Sequence, residues 1–241
     1  MENQHKSSHN NPFTILALET SHEIVSCAVC DGYHLLSQTQ LYSYQDLSRR
    51  LPQLVTETVK RIGRSLNQID VIAASLGPGS FTSLRTGLAF AKGLAVGLNK
   101  PLLGISSLDA LANAIQHLSD ALIVCLYPSR PSRPLEVYYA RYRIQKGEVH
   151  KISHESCEEF PLLLNSLSDG HWSVVLLVGY FNAEIADYWK HQTDGKDKIF
   201  VYRRPSAYKI ALAAVRRIGR EGLKGETDEV TPIYVLPAPP M

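Results

Sequence analysis

Four sets of residues in this 241-residue chain have types and spacings that could do chemistry. The first is Gly77-Pro78-Gly79-Ser80, a glycine-rich turn followed by an apolar, helix-like run. Such a turn can hold a phosphate on backbone N–H groups at a helix N-terminus. A lysine-bearing phosphate loop needs GxxxxGK followed by Ser or Thr, but Leu88 follows Gly87 here. The dinucleotide pattern GxGxxG also fails, because Thr82 stands at the third glycine. What remains is a tight turn and a helix start with Ser80 or Thr82 as cap. Gly77, Gly79 and Ser80 are thus candidates for an anion site. The second set, Glu19-Thr20-Ser21, ends an apolar run with an acid and two hydroxyls. It could hold a metal-bound phosphate, or be a turn in which Thr20 and Ser21 bond the backbone. Thr20 and Ser21 join the anion-site candidates.

The third set is Cys27-Ala-Val-Cys30. Within a strand, side chains three residues apart point to opposite faces, and no second CxxC completes a zinc site. The four cysteines, Cys27, Cys30, Cys125 and Cys157, therefore read as buried thiols. The fourth set is two HxxxH pairs, His5/His9 and His150/His154. The second lies in a β-like segment, where four residues span about 13 Å, too far for one ion. No metal site and no catalytic residue are expected, no GxSxG elbow occurs, and no cofactor is assigned.

The elements that must carry these residues follow from periodicity. Thr14–Glu19, Ile24–Cys30, His34–Leu41 and Val71–Ser75 read as strands, with a hairpin turn at Asp31-Gly32. Leu47, Leu51, Leu54, Val55, Thr58, Val59 and Ile62 keep a helical period ending at Gly63, with Pro52 expected in the first turn or at a kink. A second helix follows the glycine turn. On it Leu84, Leu88, Ala91, Ala95 and Leu98 form a core stripe, while Thr82, Thr86, Ala89, Gly93 and Gly97 form a small-residue face on nearly the opposite side. Two interior glycines cost roughly 1 kcal/mol each against alanine, which suggests close approach by another helix, of the same chain or of a partner. After Pro101 a similar set begins. Leu122–Leu126, Leu135–Ile144, Glu148–Ser153, Val174–Val178 and Ile199–Tyr202 read as strands, and Cys157–Leu167, Asn182–His191 and Ala207–Ile218 as helices. Pro128–Pro134 reads as an exposed loop.

Residues 1–12 are expected to be a disordered tail, 13–108 a first lobe onto which a helix at 207–220 packs back, 109–206 a second lobe and 221–241 a C-terminal extension. Hydrophobic residues make up 44% of the chain, enough for a full core. Twenty-five Lys and Arg against 23 Asp and Glu leave a net charge of +2, which argues against avid binding of nucleic acid by the chain alone. A local basic cluster, Arg203, Arg204, Lys209, Arg216, Arg217, Arg220 and Lys224, is either a solvated face or an RNA contact. No apolar run reaches membrane-spanning length and the start carries no signal-peptide core, so a cytoplasmic protein is expected.

Glu19-Thr-Ser21, Leu76–Gly87, Ala91–Ala95 and Gly104-Ile-Ser-Ser-Leu108 together resemble the bacterial TsaB (YeaZ) family. Glu136-Val-Tyr-Tyr139 and Pro232-Ile-Tyr-Val235 add to the resemblance. It implies a two-lobed α/β fold of the actin, sugar-kinase and Hsp70 type (ASKHA). It also implies a scaffold role in forming threonylcarbamoyladenosine beside the anticodon of tRNA. Such a scaffold docks a catalytic TsaD-like paralogue through first-lobe helices, here Asp46–Ile62 and Phe81–Leu98, with Leu47, Leu51, Leu54, Thr82, Thr86, Ala89, Gly93 and Gly97 as interface residues. A TsaE-like ATPase joins the complex, the chain alone is a homodimer, and tRNA is met only within the complex. The chain departs from the family pattern in having Glu19 for an aspartate, Tyr42-Ser-Tyr44 for a histidine and Pro128–Pro134 for Asp-Ala-Arg. The alternative is an independent ATPase or kinase of the same fold.

Overall fold

The computed structural model describes residues 13–42, 46–115, 121–145, 147–167, 174–191, 198–223 and 230–235. The expected tail, the pair His5/His9, Lys224 and most of the C-terminal extension lie outside them. Strands β1 (Thr14–Glu19), β2 (Ile24–Asp31), β3 (His34–Tyr42), β4 (Val71–Gly77) and β5 (Leu102–Ser106) form one sheet in the order β3-β2-β1-β4-β5. β1, β2 and β3 pair antiparallel, while β1, β4 and β5 run parallel. A second sheet contains β6 (Leu122–Arg130), β7 (Arg133–Gln145), β8 (Glu148–Lys151), β10 (Val175–Gly179) and β11 (Lys198–Tyr202) in the order β11-β10-β6-β7-β8, with β9 (Ser156–Glu159) also on β7. Both sheets thus follow one plan: an antiparallel set, then parallel strands reached by crossovers.

Burial follows the strand register. Leu16, Leu18, Cys27 and Val29 face helices α1 (Leu47–Lys60) and α2 (Phe81–Leu98). Ile15, Ala17, Ala28 and Cys30 face α6 (Ala207–Glu221) on the other side. Cys27 and Cys30 therefore lie in different cores, as the period of two requires, and burial pushes each thiol up to about 12. Helix α3 (Ser107–Ala112) joins the lobes: Leu108 and Leu111 enter the second lobe's core and Ala110 the first lobe's. Helices α4 (Phe160–Ser166) and α5 (Ala183–His191) cover the far face of the second sheet.

Several expectations are corrected. Pro128–Pro134 is not a loop: β6 and β7 continue to an Arg130–Arg133 pair, and only Pro131 and Ser132 connect them. The prolines are tolerated because the ladder shifts register between Pro128 and Arg130, where fewer backbone donors are needed. Ser129 Oγ (2.6 Å) and Arg130 Nε (3.1 Å) donate to Glu136, holding the hairpin's end. Cys157 begins no helix; it lies in β9, and α4 starts at Phe160 with Pro161 in its first turn. Of the two places expected for Pro52, the first turn is excluded: it is the sixth residue of α1, on the exposed side, where water can satisfy the carbonyl left without a donor.

Candidate functional site

The glycine turn lies directly on the turn between β1 and β2. Ser80 N–H donates to Ser21 O (2.9 Å), and a Cβ built on Gly79 would fall 2.2 Å from that same oxygen. Gly77 has φ +90°, in the region that favours glycine. Tyr127 Oη donates to Pro78 O (3.0 Å) from the second lobe. On α2, a Cβ at Gly87 would lie 2.1 Å from Thr20 Oγ1. The turn is thus held by protein groups on both sides and sets the direction of α2. Ser80 is the helix cap, accepting from Ser83 N–H (3.5 Å).

Beneath it Glu19 is fully buried. One carboxylate oxygen accepts from Ser21 N–H (2.7 Å) and Ser21 Oγ (2.5 Å), the other from Ser107 Oγ (2.8 Å) at the start of α3. Ser75 Oγ accepts from Thr20 N–H (3.0 Å). Burial raises the Glu19 pKa above the usual carboxylate range, against the lowering effect of the serine hydrogen bonds. Neither Ser107 nor Ser75 stood out in the sequence as a partner of Glu19. The only signal was that Ser107 lies in a stretch that carries the family resemblance and Ser75 directly precedes another.

The five anion-site candidates do come together, but unequally. Ser21, Gly79 and Ser80 line a cavity of about 530 Å³ between the lobes, closed on the other side by the β6–β7 hairpin, Tyr180 and Asn182. Thr20 and Gly77 do not line it, and Thr20 is 2% exposed. The cavity's two guanidinium groups are paired, Arg204 with Glu23 (3.0 Å) and Arg130 with Glu136 (3.1 Å). His22 packs edge-on against Tyr127 and Tyr180, and burial with the nearby Arg204 holds it neutral, its pKa lowered to about 3. Among the described residues no group of three His, Cys, Asp or Glu side chains could hold a metal ion, and no helix is long and apolar enough to cross a membrane.

The two sides of α2 differ as their side chains do. Leu84, Leu88, Ala91 and Ala95 are buried. Thr82, Ala89, Gly93 and Gly97 are exposed and Thr86 is half-buried. A Cβ on Gly93 or Gly97 would meet no atom within 4 Å outside the helix's own backbone, and Val96 between them is 72% exposed. The small face is therefore not packed against α1; the close approach within the chain is at Gly87. The interface positions expected on α1 are corrected: Leu47, Leu51 and Leu54 belong to the first lobe's core. Their helical period with Val55 and Val59 turns them toward the sheet. Arg49, Gln53, Thr56 and Lys60 form the outer side of α1.

The strap Val230–Val235 crosses the start of α2. Ile233 N–H donates to Leu76 O (2.8 Å), and Tyr234 packs on Phe81 (5.2 Å between rings) while accepting from Arg85 Nε (2.9 Å). Tyr234 thereby extends the exposed surface of α2, a contribution that sequence reasoning missed.

Known proteins place this geometry. A family model described as TsaD, tRNA N6-adenosine threonylcarbamoyltransferase, matches residues 42–176. The chain is 37% identical, over 92% of its length and 93% of the relative's, to a tRNA threonylcarbamoyladenosine biosynthesis protein TsaB from Haemophilus influenzae. It is 33% identical to the TsaB protein of Escherichia coli over 56% of this chain and 57% of that one. The solved structure of YeaZ from Pseudomonas aeruginosa superposes with a TM-score of 0.70 at 25% identity, over 92% of this chain and 99% of that one. A Bacteroides thetaiotaomicron protein with an actin-like ATPase fold superposes at 0.51 with 8% identity, a likeness of fold alone. The chain belongs to the family that the TsaD model describes and, within it, to the TsaB family of tRNA threonylcarbamoyladenosine biosynthesis proteins.

Proposed function

We propose that this chain is a non-catalytic subunit of the machinery that forms threonylcarbamoyladenosine on tRNA, and that it docks a TsaD-like catalytic paralogue through the outer face of α2. The observation that carries the reading is the open strip of Thr82, Thr86, Ala89, Gly93 and Gly97, with nothing over either of the last two glycines. Such a strip lets a second helix approach closely. Tyr234 and Arg85 at one end and Val96 at the other supply larger groups around it. The same strip serves a second copy of the chain when the paralogue is absent, and a TsaE-like ATPase and tRNA join only the assembled complex.

The rival reading, an independent ATPase of the same fold, draws on the cavity between the lobes. Against it, Glu19 is turned into hydrogen bonds with Ser21 and Ser107, and the cavity's guanidinium groups are already paired. Co-purification with the TsaD-like paralogue tests the docking directly, with Gly93→Leu as the variant that should weaken it. Phosphate release from ATP and magnesium by the chain alone should stay at background. Turnover that Glu19→Gln removes would favour the ATPase instead.

A further inference from the structure

Two runs of this nearly neutral chain are strongly basic: residues 49–64, with five Lys and Arg against Glu57, and residues 203–221. Residues 203–221 hold Arg203, Arg204, Lys209, Arg216, Arg217 and Arg220 against the single acid Glu221, while the whole chain totals only +2, so the remaining residues are net acidic. The segment ends as α6, which packs Ala207, Ile210, Ala211 and Ala214 on the first sheet opposite to α1 and α2. Its outer side beyond Ala213 borders a groove of about 450 Å³ lined by Arg216, Arg217, Arg220 and, from the second lobe, Lys151. The arginines are held in place: Arg216 Nη1 donates to Asn113 O, and Arg217 donates from Nη1 to Gly104 O (3.2 Å) and from Nε to Glu221 (3.2 Å). Arg220 is exposed at the rim. The acids at the other end, Asp109 and Glu155, are both engaged by Lys151.

We infer that this end of α6 is a contact surface for the sugar–phosphate backbone of RNA, that is, of the tRNA acted on by the complex. Arg216 and Arg217 are engaged by Asn113, Gly104 O and Glu221 and add charge to a short basic ridge, while the exposed Arg220 is the group placed to meet a phosphate, whose oxygens a planar guanidinium fork matches in pairs. α6 lies across the sheet from α2, and the groove runs from it round the β5 edge to Leu76 and Ile233 of the strap, so Arg220 sits at the end of the groove formed by α6, away from the α2 face. With a total of only +2, the ridge adds to binding by the complex and does not make the isolated chain an avid RNA binder. The inference rests on the function proposed above.

The test measures binding of an unmodified tRNA transcript by the chain assembled with its TsaD-like paralogue, at several salt concentrations. Three variants are compared: Arg220→Glu, Arg220→Lys, and Arg133→Glu as the same charge change on the exposed β6–β7 hairpin. Arg220→Glu should weaken binding about three- to tenfold and lower the salt slope by about one. Arg220→Lys, which keeps the charge and loses the fork, should fall between the parent and Arg220→Glu with the parent's salt slope; Arg133→Glu should bind as the parent does, and every variant should still co-purify with the paralogue. Equal binding and slope for Arg220→Glu overturns the inference. So does equal loss with Arg133→Glu, which would be an effect of net charge, or loss of the paralogue, which would make the ridge a protein interface. If the parent complex itself does not bind the transcript, the proposed function fails instead.

Discussion

Gly87 and Thr20 are in direct contact: a Cβ on the glycine would lie 2.1 Å from the threonine hydroxyl oxygen. Six residues along the same helix, Gly93 has nothing within 4 Å of where its Cβ would be. Two glycines of α2 therefore serve opposite purposes. The first lets the helix close on the β1–β2 turn within the chain; the second leaves a surface open.

The same substitution should act with opposite sign at the two positions. Gly93→Ala should stabilise the protein by about 0.5–1 kcal/mol, the helix-propensity difference. Gly87→Ala should destabilise it by about 1–3 kcal/mol, because the methyl overpacks against Thr20. Thermal melting of the two variants beside the parent checks this, and two shifts of the same direction would contradict it.

Gly93→Leu should leave the melting temperature unchanged or raised, since leucine favours a helix by close to 1 kcal/mol over glycine and meets open space. Docking should fall by one to two decades, from about 1–3 kcal/mol of overpacking in a close helix contact. Size-exclusion chromatography and titration with the TsaD-like paralogue read both effects. A folded variant that binds as the parent does would move the interface off α2.

Glu19 makes stability depend on pH in an unusual direction. Its folded-state pKa is raised by burial, so between its unfolded and folded values the folded state binds more protons than the unfolded one. The contribution is fully present below the ordinary carboxylate range and is lost as pH rises through the folded value. Glu19→Gln, which can still accept from Ser21 N–H, should flatten this fall. Denaturant titrations across acid to neutral pH check it, and an unchanged slope would show that Glu19 does not titrate differently on folding.

The strap should be worth a measurable amount. Ile233→Pro removes the N–H that donates to Leu76 O and should cost about 1–3 kcal/mol, the penalty of an unpaired polar group. In a chain of this size each kcal/mol lowers the melting temperature by about 2–4 °C. No change in melting temperature would mean that the strap contributes nothing to the fold.

Much of the molecule follows from local pattern. A period of two places Cys27 and Cys30 in separate cores, and a helical period makes Leu84, Leu88, Ala91 and Ala95 one buried stripe. The same kind of period puts Leu47, Leu51 and Leu54 on one side of α1, and burial places that side in the core and not at the interface expected from the resemblance. The glycine turn, the cap at Ser80 and the residues that carry the family likeness are likewise short-range features, because turn and cap chemistry is satisfied within a few residues.

What the fold alone decided is everything that joins distant segments. Glu19 meets Ser107 across 88 positions and Arg85 meets Tyr234 across 149, and neither pairing has a period to reveal it. Pro128–Pro134 has the composition of a loop, yet becomes a hairpin because Tyr127 ties β6 to Pro78 of the glycine turn and Glu136 on β7 holds Ser129 and Arg130 across the hairpin. Whether the small face of α2 is covered or open is likewise not a property of the helix. A stripe of glycine and threonine permits close packing, but the relative placement of α1, α2 and α6 on the sheet determines whether any neighbour within the chain reaches it.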